Sequence, residues 1–113
     1  MPRWGHVQAQ NNLGVAHERG DGVPQDYAAA ANWYRKAAEQ GLPLAQRNIG
    51  YLYEKGQGVR QDYTLAHMWF SLAAANGNIH GADHRDMVAQ LMTPAQIAKA
   101  QKLEREWRAK HGK

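Results

Sequence analysis

Cysteine is absent from this 113-residue chain, and serine occurs once, at Ser71. Without cysteine there can be no disulfide framework, no thiolate metal site and no cysteine nucleophile. Ser71 has no nucleophile motif around it, and the chain contains no phosphate-binding or dinucleotide-binding motif. We therefore expect no catalytic residues and no cofactor, and the sequence predicts that the protein is not an enzyme.

Long apolar runs are also missing, and the net charge is modest. No segment approaches the ~18 apolar residues that a membrane-spanning helix requires, and residues 1–6 lack the apolar region of a signal peptide. The net charge of +4 permits an acidic partner but does not require nucleic acid. We expect neither membrane insertion nor nucleic-acid binding. The sequence leaves the compartment open. The protein is cytoplasmic, or periplasmic if the chain is a mature fragment of a longer array.

What the sequence does contain is a repeat with a period of 36 residues. Residues 9–44 align with residues 45–80 without a gap, and sixteen positions are identical. The shared pattern includes Glu-x-Gly-x-Gly-Val-x-Gln-Asp-Tyr, then Ala-x-x-Trp, then Ala-Ala-x-x-Gly. A repeat of this length is typical of stacked supersecondary units, because one unit cannot bury its apolar face alone. Such a stack usually presents a binding surface rather than a catalytic cleft.

Each repeat is predicted to form two helices joined by a turn that contains glycine. Apolar residues recur at helical spacing in both segments. In the second repeat they are Ala45, Ile49, Leu52 and Tyr53, followed by Ala66, Trp69, Phe70, Ala73 and Ala74. Asp26 and Asp62 are placed to cap the second helices. Gly14 and Gly50 lie inside the first helices, where glycine is costly, and therefore indicate a close approach between helices.

After residue 80 the repeat fades. We predict repeat one over about residues 5–41, repeat two over about 42–77, a partial third repeat helix over about 79–92 and a capping helix over 93–111. The capping helix begins with Thr93, Pro94 and Gln96, the pattern of a capping box. The predicted fold is a single all-α domain, a right-handed α/α superhelix (solenoid) of helix-turn-helix repeats with a C-terminal capping helix.

The repeat motif resembles that of a known family. The second repeat contains Ala45-x-x-x-Ile49-Gly50-x-x-Tyr53-x-x-Gly56-x-Gly58-Val59-x-x-Asp62-x-x-x-Ala66-x-x-Trp69-Phe70-x-x-Ala73-Ala74-x-x-Gly77. This pattern resembles the Sel1-like repeat, a relative of the tetratricopeptide repeat. The resemblance implies an α/α superhelix and an adaptor role in protein–protein contacts, often in bacteria. A cysteine-rich branch of the family is associated with β-lactam binding or hydrolysis, but this chain lacks cysteine, so that association is not transferred.

The resemblance also implies which face binds a partner. In tetratricopeptide-like stacks the first helices line the concave groove, and their exposed side here carries Asn11, Val15, Arg19, Arg47, Asn48, Tyr51, Lys55, Asp83 and Met87. Tyr51 is the strongest candidate, because tyrosine and arginine are enriched among the residues that dominate binding energy. Its alternative is a tyrosine partly shielded by the next helix. Asn48 could bracket a peptide backbone or form a hydrogen bond between repeats. The predicted partner is a protein or peptide, and the groove would favour an acidic one.

Two alternative functions remain open at the level of the sequence. The domain could self-associate as a structural module through its incomplete N-terminal unit. Less favoured is a metal-dependent or β-lactam-type hydrolase. His80 and His84 are four residues apart and could share a helix face around a divalent metal. No third ligand is evident, and capping and surface roles are the simpler interpretation of both histidines.

Overall fold

The computed structural model describes residues 4–111, and its regular elements in that range are all α-helices. They are α1 (Trp4–Arg19), α2 (Tyr27–Glu39), α3 (Pro43–Lys55), α4 (Tyr63–Ala75), α5 (Gly81–Ala89) and α6 (Pro94–His111). The predicted all-α class, a solenoid of helical repeats, is confirmed. The expectation that residues 1–6 do not form a signal peptide includes Met1–Arg3, and these three residues lie outside the described range.

The first four helices form two stacked hairpins. α1 packs against α2 and α3 against α4, while the contact of α2 with α3 joins one hairpin to the next. α5 then packs on α4 as a further first helix. The fully buried positions are concentrated on the second helices and include Ala30, Ala37, Ala38, Ala66 and Ala73. These small side chains let neighbouring helices pack closely, so the core lies between the hairpins as well as within them.

Polar side chains cap the first turns of α2, α4 and α6. Asp26 Oδ1 accepts a hydrogen bond from Ala29 N at 3.0 Å, and Asp62 makes the matching bond at 3.1 Å. Thr93 Oγ1 accepts from Gln96 N at 3.1 Å, while Gln96 Oε1 accepts from Thr93 N at 2.8 Å. This reciprocal pair is a capping box. The predicted helix caps are therefore confirmed.

Two glycines in the first helices let an aromatic ring of the second helix pack directly on the backbone. A Cβ atom added to Gly50 would lie 2.9 Å from a ring carbon of Phe70, and one added to Gly14 would lie 2.5 Å from the Tyr34 ring. Both rings are fully buried. The predicted close approach of the two helices is confirmed, and these contacts set the spacing within each hairpin.

A third glycine joins the two repeats. Gly58, in the turn of the second hairpin, has a φ of +73°, which favours glycine over residues with a side chain. A Cβ atom there would also collide with the backbone of Tyr27 and Ala28 at the start of α2. The turn of the second repeat therefore rests directly on the first repeat.

The C-terminal helix packs mainly on α4. Leu103 and Trp107 cover part of the main core, and the Trp107 ring meets Trp69 edge-on with ring centroids 6.0 Å apart. His111 stacks on Trp107 with centroids 4.2 Å apart. α6 therefore covers the outer side of the second repeat and closes the core there.

One ionisable group is buried between the last helices. His67 on α4 is 5% exposed, and its Nδ1 atom has no hydrogen-bond partner within residues 4–111. Burial lowers the pKa of His67 below its ordinary value of 6.5, and the charge of Arg85 lowers it further. Glu104 and Asp86 oppose these effects more weakly. Folding therefore favours the neutral form of His67.

The glycine contacts predict that Gly50→Ala destabilises the fold. Alanine favours a helix over glycine by about 1 kcal/mol, but here its Cβ meets the buried Phe70 ring. We expect the free energy of unfolding, measured with urea, to fall by about 1–3 kcal/mol, as is typical of overpacking. Gly5→Ala is the control, because nothing lies within 4 Å of the added atom. Equal stability of the two variants would contradict the close approach.

The buried histidine predicts how stability depends on pH. Because the pKa of His67 is lowered by folding, the unfolded chain binds more protons there below pH 6.5, so the free energy of unfolding falls as the pH drops. The slope is at most about 1.4 kcal/mol per pH unit. His67→Gln should reduce the stability lost between about pH 7.5 and pH 5.5 in urea denaturation, by up to about 1 kcal/mol. The control His6→Gln, at an exposed position, should lose as much stability over this pH range as the wild type. If His67→Gln also loses that much stability, His67 does not have this role.

Candidate functional site

The first helices border a cavity of about 420 Å³. We call it the first-helix groove, and its lining residues are Val15, Glu18, Arg19, Tyr34, Leu44, Arg47, Asn48, Tyr51 and His84. Val15, Arg19, Arg47, Asn48 and Tyr51 were predicted from the sequence, and the structure brings them together here. The groove crosses α1, α3 and α5, so a ligand in it would contact several repeats.

Tyr51 occupies the middle of the groove with its ring partly in solvent. Its residue surface is 38% exposed. Lys55 Nζ lies 5.0 Å from the centre of the ring, a cation–π distance, and the His84 ring meets Tyr51 edge-on at 5.8 Å. Tyr51 is thus both exposed, as first suggested, and shielded on one edge by the next helix. These neighbours hold the ring in place while leaving a surface for a ligand.

Arg47 is partly buried, although the sequence pattern placed it on the exposed side of α3. Its Nη2 atom reaches Asn48 Oδ1 at 3.5 Å, at the limit of a hydrogen bond, and its Nε atom is buried without an acceptor within residues 4–111. A guanidinium group offers five N–H donors. The structure therefore leaves Arg47 with donor capacity that a carboxylate or carbonyl oxygen could use.

The acidic side chain of the groove already has a partner. Tyr34 Oη donates a hydrogen bond to Glu18 Oε1 at 2.5 Å. Burial raises the pKa of Tyr34 far above its ordinary value, and the hydrogen bond to Glu18 raises it further. The phenol therefore stays protonated and occupies the carboxylate. Arg19 and Arg47 line the groove, and Lys55, which does not line it, lies over the Tyr51 ring. These three cations outnumber the one carboxylate, so the groove favours an anionic ligand.

Asn11 does not lie on the exposed face, and that expectation is wrong. Only 2% of its surface is exposed, because α3 packs beside α1 at this point. Asn48 Nδ2 donates a hydrogen bond to Asn11 Oδ1 at 3.1 Å. The alternative interpretation of Asn48, a hydrogen bond between repeats, is therefore the one observed. Asn48 still lines the groove, so it connects the packing of the repeats to the groove wall.

Asp83 and Met87 are exposed on α5, but neither lines the groove. His84 takes that place instead. A shift of 36 residues relates His84 to Asn48, so the repeat itself contained the signal for this residue. Leu44 and Tyr34 were also missed, the first because it lies at the start of its helix and the second because it lies on a second helix.

The metal hypothesis finds no support in the arrangement of the histidines. The His84 ring stacks on Phe70 at 5.1 Å, and the backbone N–H of His80 donates to Asn78 Oδ1. Across residues 4–111 no three or more histidine, aspartate or glutamate side chains are grouped as metal ligands would be.

In the same part of the chain, no helix combines the length and apolar character that crossing a bilayer requires.

Comparison with known proteins identifies relatives by sequence and by structure. The family model of the Sel1 repeat matches residues 7–42 and 43–78. The crystal structure of c5321, a protective antigen present in uropathogenic Escherichia coli strains displaying an SLR fold, is 40% identical, with a TM-score of 0.90 over 94% of this chain. A Sel1 repeat protein from Oxalobacter formigenes is 37% identical, with a TM-score of 0.69 over 70% of this chain.

The chain is short beside these relatives. It spans 23% of the length of the Escherichia coli chain and 32% of the Oxalobacter formigenes chain. No curated protein matches it in sequence. The similarity therefore concerns a part of these longer chains that contains more than one repeat.

Proposed function

Because this chain belongs to the Sel1 repeat family, whose members are generally protein–protein interaction modules, we propose that it binds an extended, acidic segment of a partner protein in the first-helix groove. Proteins of this family are generally non-catalytic scaffolds. The observation that carries the proposal is the presence of two features in one cavity: the exposed ring of Tyr51 beneath Lys55, and the guanidinium of Arg47, whose one side-chain hydrogen bond within residues 4–111 is long.

The chemistry of the groove suits a short acidic stretch of peptide. A carboxylate of the partner would accept from Arg47, and charge-assisted hydrogen bonds of this kind are about twice as strong as neutral ones. The Tyr51 ring and the side chains of Val15 and Leu44 would cover the apolar parts of the segment. Tyrosine and arginine are among the residues that most often dominate binding energy.

The shape of the groove favours an extended ligand. Its volume of about 420 Å³ lies within the range of ligand cavities, so it holds only a few residues at once. Its walls come from the three first helices α1, α3 and α5, together with Tyr34 of α2. A segment that lies across these helices would contact all of them, whereas a folded surface would reach only the rim.

The proposal predicts that Tyr51→Ala combined with Lys55→Glu weakens peptide binding. Peptides selected on the wild-type protein from a random-sequence display library would be synthesised and their affinities measured by calorimetry. We expect the double variant to bind them at least about thirtyfold more weakly, the effect of losing one dominant contact. Both side chains are exposed, so circular dichroism should show unchanged helical content.

Lys102→Glu on α6 is the matched control, because it makes the same change of charge at an exposed position outside the groove. It should keep the affinity of the wild type. An equal loss in this control would assign the binding to overall charge. Unchanged affinity in the Tyr51/Lys55 variant would place the peptides on another face and refute the proposal.

Self-association is a second candidate function, and one observation favours it. Leu13 is 41% exposed, whereas Ile49, its equivalent in the second repeat, is 0% exposed because the first repeat packs over it. Ala9 and Ala45 differ in the same way. The outer face of α1 thus carries apolar positions that a second copy of the chain could cover across a two-fold axis.

This second function predicts a concentration-dependent mass. In light scattering the wild-type protein would shift from monomer to dimer as its concentration rises, while Leu13→Gln would stay monomeric because its outer face is more polar. Leu91→Gln, at an exposed position beyond α5, would behave as the wild type. A constant monomer mass at all concentrations would exclude self-association through this face.

A further inference from the structure

A second cavity of about 420 Å³ lies beside the first-helix groove. It is formed by the first half of α1, the start of α3 and the loop after α4. We call it the amide cavity, because five of its lining residues carry carboxamide groups: Gln8, Asn11, Asn12, Asn76 and Asn78. Its other lining residues are glycine or apolar, and no ionisable side chain contributes to it.

A carboxamide group matches the polar groups of a peptide backbone. It offers an acceptor oxygen and two N–H donors, so it can pair with both the N–H and the C=O of an extended chain. A neutral lining gains nothing from a charged ligand, which would have to give up its hydration. The lining also lacks an aromatic ring on which a sugar could stack. These properties favour the main chain of an uncharged peptide segment.

Asn11 places a carboxamide group in the wall of this cavity. It is almost completely buried, and its Oδ1 atom accepts from Asn48. The amide nitrogen of Asn11 donates to no other group in residues 4–111. The wall of the amide cavity thus presents a donor that a peptide carbonyl could pair with.

The two cavities adjoin one another. Leu44 lines both of them, and the hydrogen bond from Asn48 to Asn11 joins a residue of the groove to a residue of the amide cavity. A single extended chain could therefore pass from one to the other over Leu44. The charged side chains Arg19 and Arg47 lie at the groove end, and only neutral groups lie at the other end.

We propose that the amide cavity binds the main chain of an uncharged, extended segment of the same partner whose acidic segment occupies the first-helix groove. This inference rests on the proposed function and specifies the partner further. The ligand is a bipartite peptide, with carboxylates beside Arg47 and small neutral residues beyond Leu44. Side chains would fix the acidic half, and hydrogen bonds to the backbone would fix the neutral half.

The test uses the library-selected peptides with acetylated and amidated ends. Gln8→Met combined with Asn12→Leu removes two carboxamides while nearly keeping side-chain volume, and both positions are exposed. We expect this variant to bind the peptides about tenfold more weakly, since two hydrogen bonds are lost. Gln101→Met on α6, an exposed carboxamide outside both cavities, should bind as the wild type.

A chemical change in the peptide identifies main-chain hydrogen bonds directly. Replacing one peptide amide by an ester removes a single N–H donor and leaves the side chains unchanged. We expect at least one ester position in the neutral half to weaken binding to the wild type about threefold or more. Where the replaced N–H pairs with Gln8 or Asn12, the same ester should have no further effect on the Gln8/Asn12 variant, because that acceptor is already gone.

The outcomes separate this inference from the proposed function. Full affinity in the Gln8/Asn12 variant, with a loss in the Tyr51/Lys55 variant, would overturn the amide cavity and leave the groove. Full affinity in both variants would overturn the amide cavity and the first-helix groove as binding sites. If the N-acetylglucosamine disaccharide shifts the Asn12 side-chain amide resonances and the peptides do not, the cavity takes a sugar and the inference fails.

Discussion

The contact between a helix glycine and a buried aromatic ring is the constraint on which the rest of this structure depends. Gly14 lies against Tyr34 and Gly50 against Phe70, one such contact in each hairpin. Because the two contacts are 36 residues apart in the chain, the two hairpins have the same spacing and can stack in register. Stacking places α1, α3 and α5 along one cavity. A larger residue at either glycine would therefore alter the groove as well as the core.

The two repeats divide structural and chemical roles between their shared and their differing positions. Positions that are identical in both, such as the glycines and the capping aspartates, build the hairpins and their turns. Positions that differ carry the chemistry of the groove: Val15 corresponds to Tyr51, and the buried Asn11 corresponds to Arg47. The first repeat thus contributes Val15 beside the charged pair Glu18 and Arg19, whereas the second contributes the aromatic ring of Tyr51 and the cation of Arg47. This difference gives the groove a direction along the stack.

The sequence predicted what depends on a single helix and failed where the answer depends on packing between helices. Helix type and the aspartate caps follow from local spacing, and both were found. The close approach at Gly50 is the exception, because a glycine inside a helix indicates it from the sequence. The burial of Asn11 did not follow, because α3 of the next repeat causes it. The place of His84 depends on the rotation of α5, which is fixed where Gly81 meets the backbone of α4. The packing of α6 on α4 likewise had no counterpart in the 36-residue pattern.

The measurement that tests the central claim most directly is nuclear magnetic resonance mapping of the bound surface. The ¹⁵N-labelled protein would be titrated with a library-selected acidic peptide, and the shift of each backbone amide would be recorded. The account predicts that the largest shifts lie on α1 and α3 around Val15 and Tyr51 and on α5 around His84. Shifts concentrated on the outer sides of α2 and α6, with the groove unchanged, would contradict it.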